Sequence, residues 1–125
     1  CSSLKHITLP LNKQKYASHY FEESGLEKLE FPDAVIEISD SVCFKCKSLV
    51  EVVIGTGITT IKNIAFNSCS SMVSCYIKAV IPPSITQWTF DNNPCNFYVP
   101  RSSVDAYKTA TNWSKYTSRI YGYDF

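Results

Sequence analysis

One spacing of apolar residues recurs along this chain and constrains its fold more than any other feature. Leu4, Ile7 and Leu9 are followed by Leu26, Leu29 and Phe31, then by Leu49, Val52 and Ile54, then by Met72, Cys75 and Ile77. The first positions of these triplets are 22, 23 and 23 residues apart. A near-fixed period in this range marks a solenoid, in which each repeat buries its apolar face only against its neighbours. The fullest copy runs from Ile61 to Ile77, IKNIAFNSCSSMVSCYI.

Size and charge narrow the partners. At 125 residues the chain fits one domain, organised as repeats over 1–100, about four turns plus a final strand, and a C-terminal cap over 101–125. No apolar run reaches the roughly 18 residues that a membrane-spanning helix requires. The net charge of +1 argues against a surface built for nucleic acid. The first residues, Cys1-Ser2-Ser3-Leu4, stand in the middle of a repeat. They suggest a piece of a longer protein with any targeting segment upstream, and an uncapped first repeat that could pair end to end.

Each strand has a return segment. Val35, Ile36, Ile38, Val42 and Phe44 form one, Ile58, Ile61, Ile64 and Phe66 the next, and Ile85, Trp88 and Phe90 the last. Matching Val42-Cys43-Phe44 to Ile64-Ala65-Phe66 implies a one-residue deletion just before Cys46. Gly55 and Gly57 read as turn formers, and Leu11 to Ser24 as an eroded repeat. A final strand, Phe97-Tyr98-Val99, keeps register, after which the period stops. Ser102 or Ser103, with Asp105, resembles a helix cap. Val104, Tyr107, Trp113, Tyr116 and Ile120 then supply an apolar surface that lids the end of the repeats.

The six cysteines follow the repeat. Cys1, Cys46 and Cys69 each stand three residues before the anchors Leu4, Leu49 and Met72, and Cys75 sits at a core position. Buried thiols acting as small hydrophobes are the economical reading, with disulfides between turns as the alternative.

The motif I-x-x-I-A-F-x-x-C-S-S-M-x-x-C-x-I over Ile61–Ile77 and the opening C-S-S-L-x-x-I-x-L-P resemble the BspA-like leucine-rich repeats of bacterial surface proteins. The tail N-F-Y-V-P-R-S-S-V-D-A-Y-K-x-A-x-N-W-S-K-Y is similar to the segment that ends such arrays. The resemblance implies a leucine-rich-repeat solenoid, mainly β, with parallel strands on one face, irregular strands or 3-10 turns on the other, and a short helical cap. It also implies secretion or surface display, binding to a protein such as a host surface or matrix component, and no catalytic residues to carry over.

Reactive constellations are sparse. Cys43-Phe44-Lys45-Cys46 is a C-x-x-C, but the repeat accounts for Cys46, and neither His6 nor His19 is placed to complete a metal site with Cys69. With two histidines, no nucleophile, base and orienting group can be drawn together. Gly55-Thr56-Gly57 lacks the lysine and helix of a phosphate loop. The aspartates are scattered rather than spaced as a calcium loop. Asn112-Trp113-Ser114 is a glycosylation triplet, idle in a bacterial protein. The sequence implies no cofactor, no metal and no enzyme.

What remains is surface. Side chains alternate along a strand, so the residue between the last two apolar positions points outward. That row reads Thr8, Glu30, Val53, Tyr76 and Tyr98, passing from polar to aromatic. Val50 and Val73 stand one residue after the first anchors. Val50, Val53, Val73, Tyr76 and Tyr98 are therefore the candidate binding patch for a protein partner. A structural spacer and a glycan-binding module are the competing readings, and such residues also simply suit strand surfaces.

Overall fold

The computed structural model describes residues 27–125 together with the strands His6–Thr8 and Lys15–Tyr16. Cys1, the anchors Leu4, Leu9 and Leu26, and most of the eroded repeat lie outside the described residues. Six strands form one sheet: β1 (His6–Thr8), β3 (Lys28–Phe31), β5 (Glu51–Ile54), β7 (Ser74–Ile77), β8 (Asn96–Pro100) and β9 (Ile120–Tyr123). They lie side by side in that order, every pair parallel. A second parallel sheet is made of β2 (Lys15–Tyr16), β4 (Glu37–Ile38) and β6 (Thr60–Ile61), and a bridge from Thr60 to Ser84 extends it.

The register follows the apolar spacing. Leu29 lies beside Val52, Val52 beside Cys75, Cys75 beside Phe97, and Phe97 beside Ile120. All five are buried, and they share one core with Ile38 and Ile61 of the second sheet. Burying one such aliphatic or aromatic side chain stabilises by roughly 1.5–3 kcal/mol. The two-residue strands β4 and β6 therefore hold because Ile38 and Ile61 are packed, with little help from their own short ladders. Phenylalanines run through this core: Phe31 meets Phe66 edge-on at 6.2 Å, and Phe66 stacks on Phe90 at 5.4 Å.

Two readings of the repeat need correction. The first is the deletion before Cys46. Ser41, Cys43 and Lys45 donate their N–H groups to the carbonyls of Asn63, Ala65 and Asn67, at one unchanging separation. Left-handed backbone recurs at the same positions, in Ser41 (φ 62°) and Ile64 (φ 51°), and again in Lys45 (φ 59°) and Ser68 (φ 62°). Cys43 thus takes the place of Phe66, Phe44 is half-buried opposite Asn67, and no residue is missing. The extra residue enters one repeat later, where Phe66 N–H donates to Thr89 and Ser68 N–H to Asp91.

The second correction concerns the end of the period. Beyond β8 the chain makes a 3-10 turn (Arg101–Ser103), the helix α1 (Val104–Thr109) and a further 3-10 segment (Ser114–Arg119). It then returns as β9, with Ile120 beside Phe97 one further period on. Ser103 precedes α1 without a side-chain capping bond, because the 3-10 turn already carries the backbone into the helix.

This terminal segment is fastened to the last repeat by a series of donors. The Tyr107 hydroxyl donates to the carbonyl of Ala79 (2.7 Å), Trp113 Nε1 to Pro83 (2.8 Å), and Asn112 Nδ2 to Ile85 (2.8 Å). Lys115 Nζ donates to Gln87, and Arg119 Nη1 to Asn93 (2.9 Å). Carbonyls that another repeat would otherwise satisfy receive side chains instead.

Gly55 and Gly57 bracket a turn, as expected, but what requires glycine there is a close approach. Neither has a positive φ. A Cβ at Gly57 would stand 2.1 Å from the carbonyl oxygen of Asp33, and one at Gly55 would stand 2.5 Å from Asp33 Oδ1. The glycines admit the preceding repeat, whose Asp33 Oδ1 accepts the N–H of Thr56 at 2.8 Å.

Candidate functional site

The outward row of the large sheet turns aromatic toward its last strands, with Tyr76 and Tyr98 half-buried and Tyr121 exposed. Glu30, Val53, Tyr76, Tyr98 and Tyr121 are neighbours in register across successive strands. Tyr76 and Tyr98 stack at 4.9 Å with 20° between their planes, and Tyr98 stacks on Tyr121 at 5.8 Å. Tyr123 closes edge-on against Tyr76 at 5.2 Å and packs against Phe125 at 4.9 Å. The outcome is an ordered aromatic surface, since each such pair adds roughly 0.5–1.5 kcal/mol beyond its area burial.

Of the five residues proposed from sequence, Val53, Tyr76 and Tyr98 come together in this row. Val50 and Val73 lie one residue before β5 and β7, linked by Val73 N–H to the Val50 carbonyl at 2.8 Å. They are exposed, at 37% and 61%, along the strand-entry edge. Tyr121, Tyr123 and Phe125 were missed. The step of one period from Tyr98 to Tyr121 was the available signal, hidden because helix and 3-10 turns separate the two strands.

A shallow groove of ≈ 410 Å³ lies on this face, between Val53 and Tyr76 on the strands and Tyr123 and Phe125 beside them. Stacking covers both faces of Tyr98, between Tyr76 and Tyr121, and one face of Tyr76. A sugar stacks on a free ring face, whereas a polypeptide uses edges and hydroxyls equally well.

The thiols belong to the core. Cys43, Cys46, Cys69, Cys75 and Cys95 are buried thiols outside any disulfide, and Cys69 Sγ donates to the Cys43 carbonyl at 3.0 Å. Burial pushes the Cys43 thiol well up, and the neighbouring Cys46 thiol adds to the shift. Cys75 is raised by burial too, and Cys95 is pushed up to about 12 against the opposing pull of Arg119. Thiols held protonated in this way are poor nucleophiles and poor metal ligands. Among the described residues no group of three or more His, Cys, Asp or Glu side chains is arranged to hold a metal ion. No described helix is long and apolar enough to cross a membrane.

A search of curated proteins returns no significant match. The family model of the BspA type leucine rich repeat region matches in six copies over residues 1–96. With more than half of its length covered by that model, and its parallel strands stacked at the same period, this chain belongs to the BspA-type leucine-rich-repeat family.

Proposed function

We propose that the chain is a segment of leucine-rich-repeat solenoid that recognises a protein partner without catalysing a reaction. The observation that carries the reading is the ladder Tyr76, Tyr98 and Tyr121 on the outward face of the large sheet. Tyrosine is a favoured interface residue because a rigid ring offers contact area at little entropic cost and its hydroxyl finds partners readily. Val53 extends this patch, and Val50 and Val73 flank it as an apolar rim. Membership of a repeat family used for protein interaction points the same way, and fits display at a bacterial surface or secretion.

A spacer that holds another domain away from a surface is the second reading. It is favoured by the rings stacking on one another, which stabilises the sheet with no ligand at all. The test is a capture experiment on extracellular-matrix, serum and cell-surface extracts, with the native chain beside its Tyr76→Ala/Tyr98→Ala variant, both checked by circular dichroism. Capture of a protein by the native form alone is expected. Equal capture by both, or by neither, removes the tyrosine face as the recognition surface.

A further inference from the structure

Two of the buried thiols stand at the ends of one tight turn. Cys46 N–H donates to the Cys43 carbonyl at 3.2 Å, which closes Cys43-Phe44-Lys45-Cys46 as a hydrogen-bonded reversal. Lys45 supplies its left-handed residue, with φ 59°. Such a turn brings its first and last Cα atoms within about 7 Å, and a disulfide spans Cα separations of roughly 4.4–6.8 Å. Both side chains point into the core, each with 0% exposure, and the two thiols hydrogen-bond to each other. The backbone is thus already shaped for a bond between them.

The repeat itself does not call for this pair. Cys46 holds the position of Cys69 one repeat on, but Cys43 stands where that repeat has Phe66. Cys69 is the competing partner, and its Sγ is aimed instead at the Cys43 carbonyl, 3.0 Å away. Cys75 lies within β7, and Cys95 directly precedes β8. Cys43 and Cys46 alone share a turn.

We infer that Cys43 and Cys46 are a disulfide site, closed when the chain folds in the presence of a small-molecule disulfide such as oxidised glutathione and left as a buried dithiol when it folds in a reductant. One cysteine, as its thiolate, attacks a glutathione disulfide, whose S–S bond breaks to give a mixed disulfide and one departing glutathione. The second cysteine then attacks the protein sulfur of that mixed disulfide and expels the other glutathione. Two protein thiols are oxidised, one glutathione disulfide is reduced to two thiols, and the two protons pass to them. Both steps belong to the open chain, because the folded repeat shuts the reagent out and holds the thiols protonated. Once the repeat closes, the same burial preserves whichever state was formed. Compartments outside the cytosol maintain bonds of this kind. The chemistry is independent of the tyrosine face.

The test holds the whole chain at its urea midpoint, where it opens and closes repeatedly, in a buffer of reduced and oxidised glutathione. The chain is returned to plain buffer, unfolded with iodoacetamide and mapped by mass spectrometry after trypsin, which cuts after Lys45 and so separates the two cysteines. The expected product is lighter by two hydrogens, gives the peptides of Cys43 and Cys46 joined through sulfur, and keeps its circular dichroism on return to plain buffer. Chain never exposed to urea should gain the bond only as fast as the Cys43 amide exchanges its hydrogen. Cys69→Ala should leave the bond in place. Alkylation of both Cys43 and Cys46 after the urea step, a bond mapped to Cys46 and Cys69, loss of the bond in Cys69→Ala, or an oxidised chain that no longer folds, overturns the inference.

Discussion

Gly57→Ala is the substitution that the packing of one repeat on the next makes most informative. The added Cβ would stand 2.1 Å from the Asp33 carbonyl oxygen and 3.3 Å from its carbon. Even a close carbon–oxygen contact needs about 3.3 Å, so the repeats must separate locally by roughly 1.2 Å. The obstructing atom is backbone, which no rotamer change can remove. The move also strains the neighbouring bond from Thr56 N–H to Asp33 Oδ1, 2.8 Å long in the native chain. Overpacking of this kind costs about 3 kcal/mol, at the upper end of its usual range. For a chain of 125 residues that corresponds to a fall in Tm of roughly 10 °C. Thermal and urea unfolding, followed by circular dichroism, measure it. Asp33→Ala should not rescue the variant, because the clash is with the main chain. Stability of Gly57→Ala within about 0.5 kcal/mol of native would refute the close approach, and with it the stacking of the Asp33 turn on the Gly55–Gly57 turn.

Further outcomes follow from the terminal segment, the thiols and the turns. Tyr107→Phe leaves the Ala79 carbonyl without its 2.7 Å donor in a buried setting, and should cost about 1–3 kcal/mol in urea unfolding, whereas Tyr98→Phe on the sheet face should be nearly neutral. Burial raises the Cys43, Cys69, Cys75 and Cys95 thiols above their unfolded values. The stability linked to them is therefore complete below the unfolded thiol pKa of roughly 8.5 and is lost as pH rises through the folded values, each thiol adding a slope of about 1.4 kcal/mol per pH unit. Urea midpoints should be level between pH 7 and 8 and fall steeply above about 9, and the native thiols should react with a disulfide reagent only as fast as the protein opens. Lys45→Asn places a residue tolerant of left-handed backbone at an exposed φ of 59°, and should raise stability by about 0.5–1 kcal/mol in the same assay.

The repeat was legible because burial wrote it into the chain at a fixed period. Leu29, Val52, Cys75 and Phe97 could be aligned by letter alone, and the strands pair in that register. The return segments misled where letters and geometry diverge. Val42-Cys43-Phe44 resembles Ile64-Ala65-Phe66, yet the hydrogen-bond ladder holds its separation and puts Cys43 where Phe66 stands. A small thiol can fill a phenylalanine position when neighbouring rings take up the space, and sequence carries no trace of that exchange.

The terminal strand was hidden for another reason. Ile120-Tyr121-Gly122-Tyr123 carries one buried apolar residue, so its period-two pattern is faint. What makes it a strand is the free edge of β8, with which all four of its residues pair. The candidate site was accordingly half visible. Val53, Tyr76 and Tyr98 were read from alternation along the strands, while Tyr121 and Tyr123 needed β9, and Phe125 needed the tertiary packing that sets it against Tyr123.

The most direct test of recognition through this face is site-specific photo-crosslinking in the same extracts. A benzophenone side chain is placed at position 98 in the tyrosine ladder, or at the exposed position 59 beside the second sheet. The account predicts a discrete protein adduct from position 98 and none from position 59. Adducts from position 59 alone, or no adduct from either while the native chain still captures its partner, would contradict it.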